Sequence, residues 1–410
     1  MFARAGHDVT LSVEDARYRG AMAGLVQVAD EMGEPESYDV AFFDTTGWGT
    51  VADETREKTP TVGDSSLADA LEHDRVFGIE FMQSCGIAVP PWEKFTDPAD
   101  AIRHIKKTKK RYVFKPCGND ADASSTYVSK SADDLLRYMD VLFRNAKVSE
   151  FLLQEFVVGT EISIEMWMNE TGYYALNATL ETKKLMAGDL GPATGCSGNV
   201  CWLFGQEPAV FKRGLKKAYE SLREMGYVGM IDLNCICTET EVYGLEWTPR
   251  VGLEGTCNLV RMMACDFGEF VYAIAAGLRP PEILPRASFC ATTRLSIPPY
   301  PTDGLPKKFY KEGVPIEGLT EKMLENFYAM DFRRNELNDE AFETAGISGW
   351  IGAAIGTGET IHSAFEKVRE TLKGIQVPDG QWRNDVEKVV AKRYEELEAH
   401  GWLRTSYGDD

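Results

Sequence analysis

Short apolar runs of strand length alternate with amphipathic helical stretches along almost the whole chain, and this alternation constrains its fold most strongly, pointing to an α/β architecture. Residues 7–13 (HDVTLSV) and 38–44 (YDVAFFD) read as buried strands, the second closing in Asp44 and a Thr45-Thr46-Gly47-Trp48-Gly49 turn. Residues 65–85 read as one helix, with Leu67, Leu71, Phe77 and Phe81 near a 3.6 period, stopped by Gly86 and Pro90-Pro91. Two short strands within 111–128 are joined by a small, polar tip, 116–125. A strand at 151–158 leads through Gly159 into 161–168 (EISIEMWM), whose alternation marks a half-buried sheet. A helix over 211–225 follows, then an adjacent strand pair, 228–235 and 242–247. From about residue 286, Pro-rich strand segments, a Gly-rich run at 346–358 and a charged helix at 360–372 imply a third domain with an extended tail. No period of 20 to 50 residues recurs, which sets solenoids aside.

Charge narrows the function. The 64 Asp+Glu against 44 Lys+Arg give a formal net charge of −20, which repels phosphate backbones and anionic lipid over most of the surface, so no direct nucleic-acid binding is expected. The longest apolar stretch, 270–278, is far shorter than the ~20 residues that cross a bilayer. Residues 1–13 lack the parts of a secretory signal, so a cytoplasmic location without membrane contact is expected. The nine cysteines form no CxxC pair and the five histidines have no metal spacing on one helix, which disfavours transition-metal and Ser-His-Asp chemistry.

The residues that carry chemistry lie between 70 and 250. Lys115 ends a strand just before the small, polar tip, where an ammonium and backbone amides would cradle polyphosphate; on composition alone, a surface lysine before a solvated loop is the favoured reading. Asp232 and Glu246, on neighbouring strands, could hold Mg²⁺ between phosphate oxygens, since that ion takes one or two carboxylates plus phosphate and water. The plain alternative is an acidic pair on exposed strand faces.

The order of these features resembles the ATP-grasp carboxylate-amine ligases, and most closely the glycinamide ribonucleotide synthetase (phosphoribosylamine-glycine ligase) family. The matching stretches are Asp74-Arg75, 86–90 (GIAVP), Lys115-Pro116, Gln154-Glu155-Phe156, Gly159-Thr160-Glu161, 188–195 (GDLGPATG), 245–250 (LEWTPR) and 381–385 (QWRND). The resemblance implies an ATP-grasp fold with an N-terminal Rossmann-like domain at 1–70 lacking its first strand. It further implies an ATP-grasp core at 71–285 with a lid at about 111–179, a small C-terminal α+β domain at 286–375, and a helical tail at 376–410. It assigns Arg75 and Lys115 to ATP phosphates, Gln154, Glu155 and Val157 to the adenine edge, and Glu161 to the ribose. Asp232, Glu246 and Thr248 become the Mg²⁺ (or Mn²⁺) set. Arg250 and Lys184 fall to catalysis, and Gly191, Pro192, Thr194 and Gly195 to the substrate.

The implied reaction joins a small carboxylate, glycine foremost, to an amine through an acyl phosphate, with small-molecule partners and a monomer or homodimer. Thr248 stands where the family has asparagine, 251–255 (VGLEG) lacks the family's Gly-Asp-Pro-Glu, and 124–126 (SST) replaces Gly-Lys-Gly. Two further readings therefore stand beside it: ligation of an amino acid to a different amine, such as a modified nucleoside, nucleobase or sugar, and nucleotide binding with impaired catalysis.

Overall fold

An antiparallel sheet of eight strands carries the core of the molecule. The computed structural model describes residues 2–13, 15–118, 126–145 and 148–405; most of the 116–125 tip, including Ser124 and Ser125, lies outside them. From one edge to the other the strands are Val242–Thr248, Gly229–Cys237, Thr160–Asn169, Gly172–Met186, Leu190–Leu203, Phe289–Ser296, Trp350–Gly358 and Phe327–Ala329. The sheet passes through residue 285, so the segment after 286 does not form a separate layer: it supplies three of the eight strands.

Alternation sorts the strand residues to two faces. Ile162, Ile164 and Met166, with Ile231, Leu233, Ala178 and Leu180, enter the main apolar core. Glu161, Ser163 and Glu165 point the other way. That polar face is covered as well: Ser163 and Glu165 are buried, and a Cβ on Gly255, in helix Leu253–Met262, would stand 3.5 Å from the Glu165 carboxylate. The expected half-buried sheet is therefore buried on both sides, because a helix and a second lobe close over its polar face.

That second lobe has four antiparallel strands in the order Trp92–Phe95, Phe151–Glu155, Tyr112–Pro116, Tyr127–Val128. Helices Pro98–Thr108 and Ala132–Asn145 cover one face, on a core of Phe95, Ile105, Phe114, Leu135, Met139, Phe151 and Leu153. Its strands run from 92 to 155, whereas Thr160–Asn169 belongs to the large sheet, so the structural lobe does not follow the expected lid limits of 111 and 179. Toward the N-terminus, Thr10–Ser12 pairs with Gln27–Ala29 and Ala41–Phe42 with Thr61–Val62, both in parallel.

Three expectations about helices are corrected. Residues 65–85 form two helices, Ser66–His73 and Arg75–Ser84, because the Asp74 carboxylate leaves the helical path to cap the amides of Val76 and Phe77. The 211–225 helix is broken at Gly214 (φ −106°, ψ −110°), leaving Ala209–Arg213 and Tyr219–Glu224 joined by a 3₁₀ turn. The tail is no appendage: helix Val386–Ala399 buries Val386, Val390 and Leu397 in the main core, followed by Trp402. Arg393 also donates to the Glu181 carbonyl at 2.6 Å.

Leu397 is fully buried. Leu397→Ala is expected to cost about 2–5 kcal/mol of unfolding free energy in urea denaturation. A loss below about 0.5 kcal/mol, the usual range for surface substitutions, would show the tail to be peripheral.

Candidate active site

The site lies where the exposed face of the small lobe meets the polar face of the large sheet. In the lobe, Phe151 and Leu153 point to the helices, so Leu152 and Gln154 point away; likewise Phe114 points in and Lys115 out. Val113 opposes Gln154 and Lys115 opposes Leu152 in the ladder, which puts Lys115 and Gln154 on one face. Lys115 is 7% exposed and its Nζ lies 3.4 Å from the Leu245 carbonyl, across the gap on the large sheet.

On the large sheet, one row across the strands reads Thr248, Asp232, Glu165, Asn177, and the next reads Glu246, Asn234, Ser163, Thr179. Asp232 is thus paired with Thr248 rather than Glu246, and Glu246 with Asn234. Thr179 donates to Glu165 at 2.7 Å. Lys183 pairs with Glu161. The Asn234 amide, oriented to satisfy both partners, donates to Glu161 at 3.1 Å and accepts from Lys183 at 3.2 Å.

Glu246 is the electrostatic centre. Burial works to raise its pKa, but Lys183, Lys115, Arg75 and Arg250 outweigh burial and hold its carboxyl below the usual range. Lys115 is affected in the opposite direction: burial, reinforced by Arg75 and Lys183, lowers it to about 8 against the pull of Glu246 and Glu161. Asp232 is pushed well above a normal carboxylate, first by burial and then by Glu165 and Glu181. Burial likewise raises Glu181 to about 7.

Three buried polar atoms of these residues have no hydrogen-bond partner: Arg75 Nε, Gln154 Nε2 and Asp232 Oδ1. Orphaned buried groups are rare, and each marks either strain or an absent ligand. An anion near Arg75 and a divalent cation at Asp232 would satisfy two of them. The donor set of Asp232, ionised Glu246 and the neighbouring Thr248 hydroxyl fits a hard, oxygen-liking cation.

The structure does not bring every expected residue to this centre. Lys183, not Lys184, reaches the cluster, because adjacent strand residues face opposite ways; Lys184 instead offers its carbonyl to Ser197 Oγ and, at 3.1 Å, to Arg383. Glu155 is paired with Lys110, and Val157 lies in the short connection between the two sheets. Arg250 is held by Glu72 at 3.0 Å. Residues 191–195 do not form an isolated Gly-Pro turn. They start the outgoing strand of a hairpin whose tip is Ala187–Asp189, with Gly188 (φ 71°) and Asp189 (φ 55°) left-handed. Gly191 (φ 79°) and Gly195 (φ 75°) supply further left-handed positions that a larger residue would strain.

Sequence reasoning missed Lys183, Asn234, Glu165 and Glu181. Their signal was the alternation itself, which places every second residue of 161–165 and 179–183 on one face. The nine cysteines are free, and burial raises the thiols of Cys196, Cys201, Cys235 and Cys257, which are not poised as nucleophiles. Among the described residues no helix is long and apolar enough to cross a membrane.

Comparison with known proteins bears on the fold. The family model for the phosphoribosylglycinamide synthetase ATP-grasp (A) domain matches residues 73–252. The phosphoribosylamine–glycine ligase of Thermotoga maritima is 25% identical over 327 residues, covering 77% of each chain. The trifunctional purine biosynthetic protein adenosine-3 of Bos taurus is 24% identical over 343 residues, covering 79% of this chain but only 32% of that longer protein. A crystal structure of phosphoribosylamine–glycine ligase from Thermotoga maritima superposes with a TM-score of 0.63 at 22% identity, over 79% of this chain and 81% of the other. A biotin carboxylase from Campylobacter jejuni superposes with a TM-score of 0.64 at 12% identity, over 99% and 94%. These structures share the ATP-grasp fold.

Lys115 yields a prediction with a defined sign. A polyphosphate favours its charged form, so affinity is full below about pH 8 and falls as pH rises through that value toward the higher pKa of the complex. Metal-free ADP, titrated calorimetrically between about pH 7.5 and 9.5, should bind up to about tenfold more weakly per pH unit above the midpoint. Lys115→Met should bind weakly and without that slope; a flat wild-type profile would contradict the assignment.

Proposed function

We propose that this chain, an ATP-grasp protein similar to the phosphoribosylamine–glycine ligases, is an ATP-dependent, ADP-forming carbon–nitrogen ligase. It activates a small carboxylate, glycine foremost, and couples it to an amine. The observation that carries this reading is the meeting of two sheets around ionised Glu246, with four cations facing it and unpartnered polar atoms on Arg75, Gln154 and Asp232.

Gln154 reads the adenine edge with the backbone near Val157, and Glu161 takes the ribose hydroxyls. Arg75 and Lys115 hold the phosphates. Lys183 and Arg250 spread the charge that develops on the transferred phosphoryl group, the main requirement of such a transfer. Asp232, Glu246 and Thr248 would hold magnesium or manganese, which when bound neutralises phosphate oxygens. The carboxylate oxygen, held in line with the γ-phosphorus, attacks it and ADP leaves. The amine then attacks the carbonyl carbon of the acyl phosphate, phosphate departs, and an amide remains. No side-chain nucleophile is needed, and closure of the small lobe excludes water from the acyl phosphate.

The assignment separates two adjacent lysines. With glycine, Mg²⁺-ATP and hydroxylamine, Lys115→Ala, Glu246→Ala and Lys183→Met should each lower hydroxamate formation at least ~100-fold, whereas Lys184→Met should stay within ~threefold. Wild-type rates in the first three would remove the site; a loss confined to Lys184→Met would restore the expectation from sequence.

A further inference from the structure

Beside this cluster, an open cleft of about 230 Å³ lies between the hairpin at 184–197 and the segment 381–384. Its walls are built by two buried arginines. Arg294 donates to Glu254 Oε1 through Nε at 2.8 Å, to the Thr194 carbonyl at 3.1 Å and to the Tyr300 hydroxyl, with its guanidinium 3.6 Å above the Trp350 ring. Arg383 donates to Asp385 at 2.6 Å and to the Lys184 carbonyl at 3.1 Å, and pairs with Asp189 at 2.8 Å. Asp385 in turn accepts from the Gly188 amide at 2.9 Å. The hairpin is thereby pinned along its length, and the cleft beneath it is preformed.

Both arginines have spent their charge on carboxylates. Four other lining side chains, Ser296, Gln381, Trp382 and Asn384, make no hydrogen bond among the described residues, and all are uncharged. A phosphate ester entering the cleft would find amides, a hydroxyl and an indole N–H, but no cation without a carboxylate partner. Desolvating a phosphate against neutralised arginines is unfavourable, whereas a polar ring with hydroxyl or amide groups can use the free donors and acceptors and lie against Tyr300 or Trp382.

We propose that this cleft holds the amine substrate, and that the amine is carried on an uncharged polar ring without a phosphate. The inference rests on the ligase reading above and departs from the phosphorylated substrate named for the relatives. The amine nitrogen then approaches the acyl phosphate from the side of Thr194 and Glu254.

The test compares a matched pair, ribosylamine and phosphoribosylamine, each generated in place from ammonia with ribose or ribose 5-phosphate, as acceptors of glycine with Mg²⁺-ATP. Hydroxamate formation with hydroxylamine is measured first, on the same full-length chain, because its absence would overturn the ligase reading and the inference with it. Given hydroxamate, ribosylamine is expected to match or exceed phosphoribosylamine in kcat/KM. Gln381→Ala and Trp382→Phe should raise its KM at least tenfold while KM for ATP stays put. A preference for phosphoribosylamine of 100-fold or more, turnover with neither amine, or an unmoved KM in both variants would overturn the cleft assignment while leaving the ligase reading in place.

Discussion

A half-buried glutamate kept ionised by surrounding cations is the interaction on which the rest of this structure depends. Without those cations, the partial burial of Glu246 near the end of its strand would raise its pKa, since desolvation disfavours the charged form. Its cations come from separate places: Lys115 from the small lobe, Arg75 from a helix N-terminus, Lys183 from the neighbouring part of the large sheet and Arg250 from beyond the strand's end. The charges agree only when those elements are assembled. The assembly leaves Lys115 with a depressed pKa and leaves unpartnered atoms on Arg75, Gln154 and Asp232, as expected of a site arranged for a ligand it does not itself supply.

Much of this was legible because strand alternation and helix stops are local signals. The pattern of 161–168 put Glu161 on the face opposite Ile162, and the strand ending in Lys115 placed the lysine at a sheet end. What could not be read was long-range. No residue near 161 shows that a helix and a second lobe will bury its polar side, and the apolar spacing of 386–402 does not say which core it joins. The choice between Lys183 and Lys184 turned on a one-residue register, which reverses every side chain. The two helix breaks carry local signals, since Asp74 is a strong N-cap residue and Gly214 a weak helix former, but an apolar helical period continues across each.

The departures from the similar ligases fall at 124–126, Thr248 and 251–255. Thr248 sits across from Asp232, and Glu254 is committed to Arg294, where the hairpin is fastened to the C-terminal strands. Lys115 and Arg75, proposed above for the phosphates, act on Glu246, while 124–126 (SST) stands where those ligases carry Gly-Lys-Gly.

The claim at the centre is that the acid is activated by phosphorylation of its own carboxylate. Glycine labelled with ¹⁸O in both carboxyl oxygens tests it directly, with inorganic phosphate analysed by mass after turnover in unlabelled water. One ¹⁸O should appear in each phosphate released, carried there when the acyl phosphate loses it to the amine. Formation of ADP and amide with unlabelled phosphate would contradict the account, because the carboxylate oxygen would then never have been joined to phosphorus.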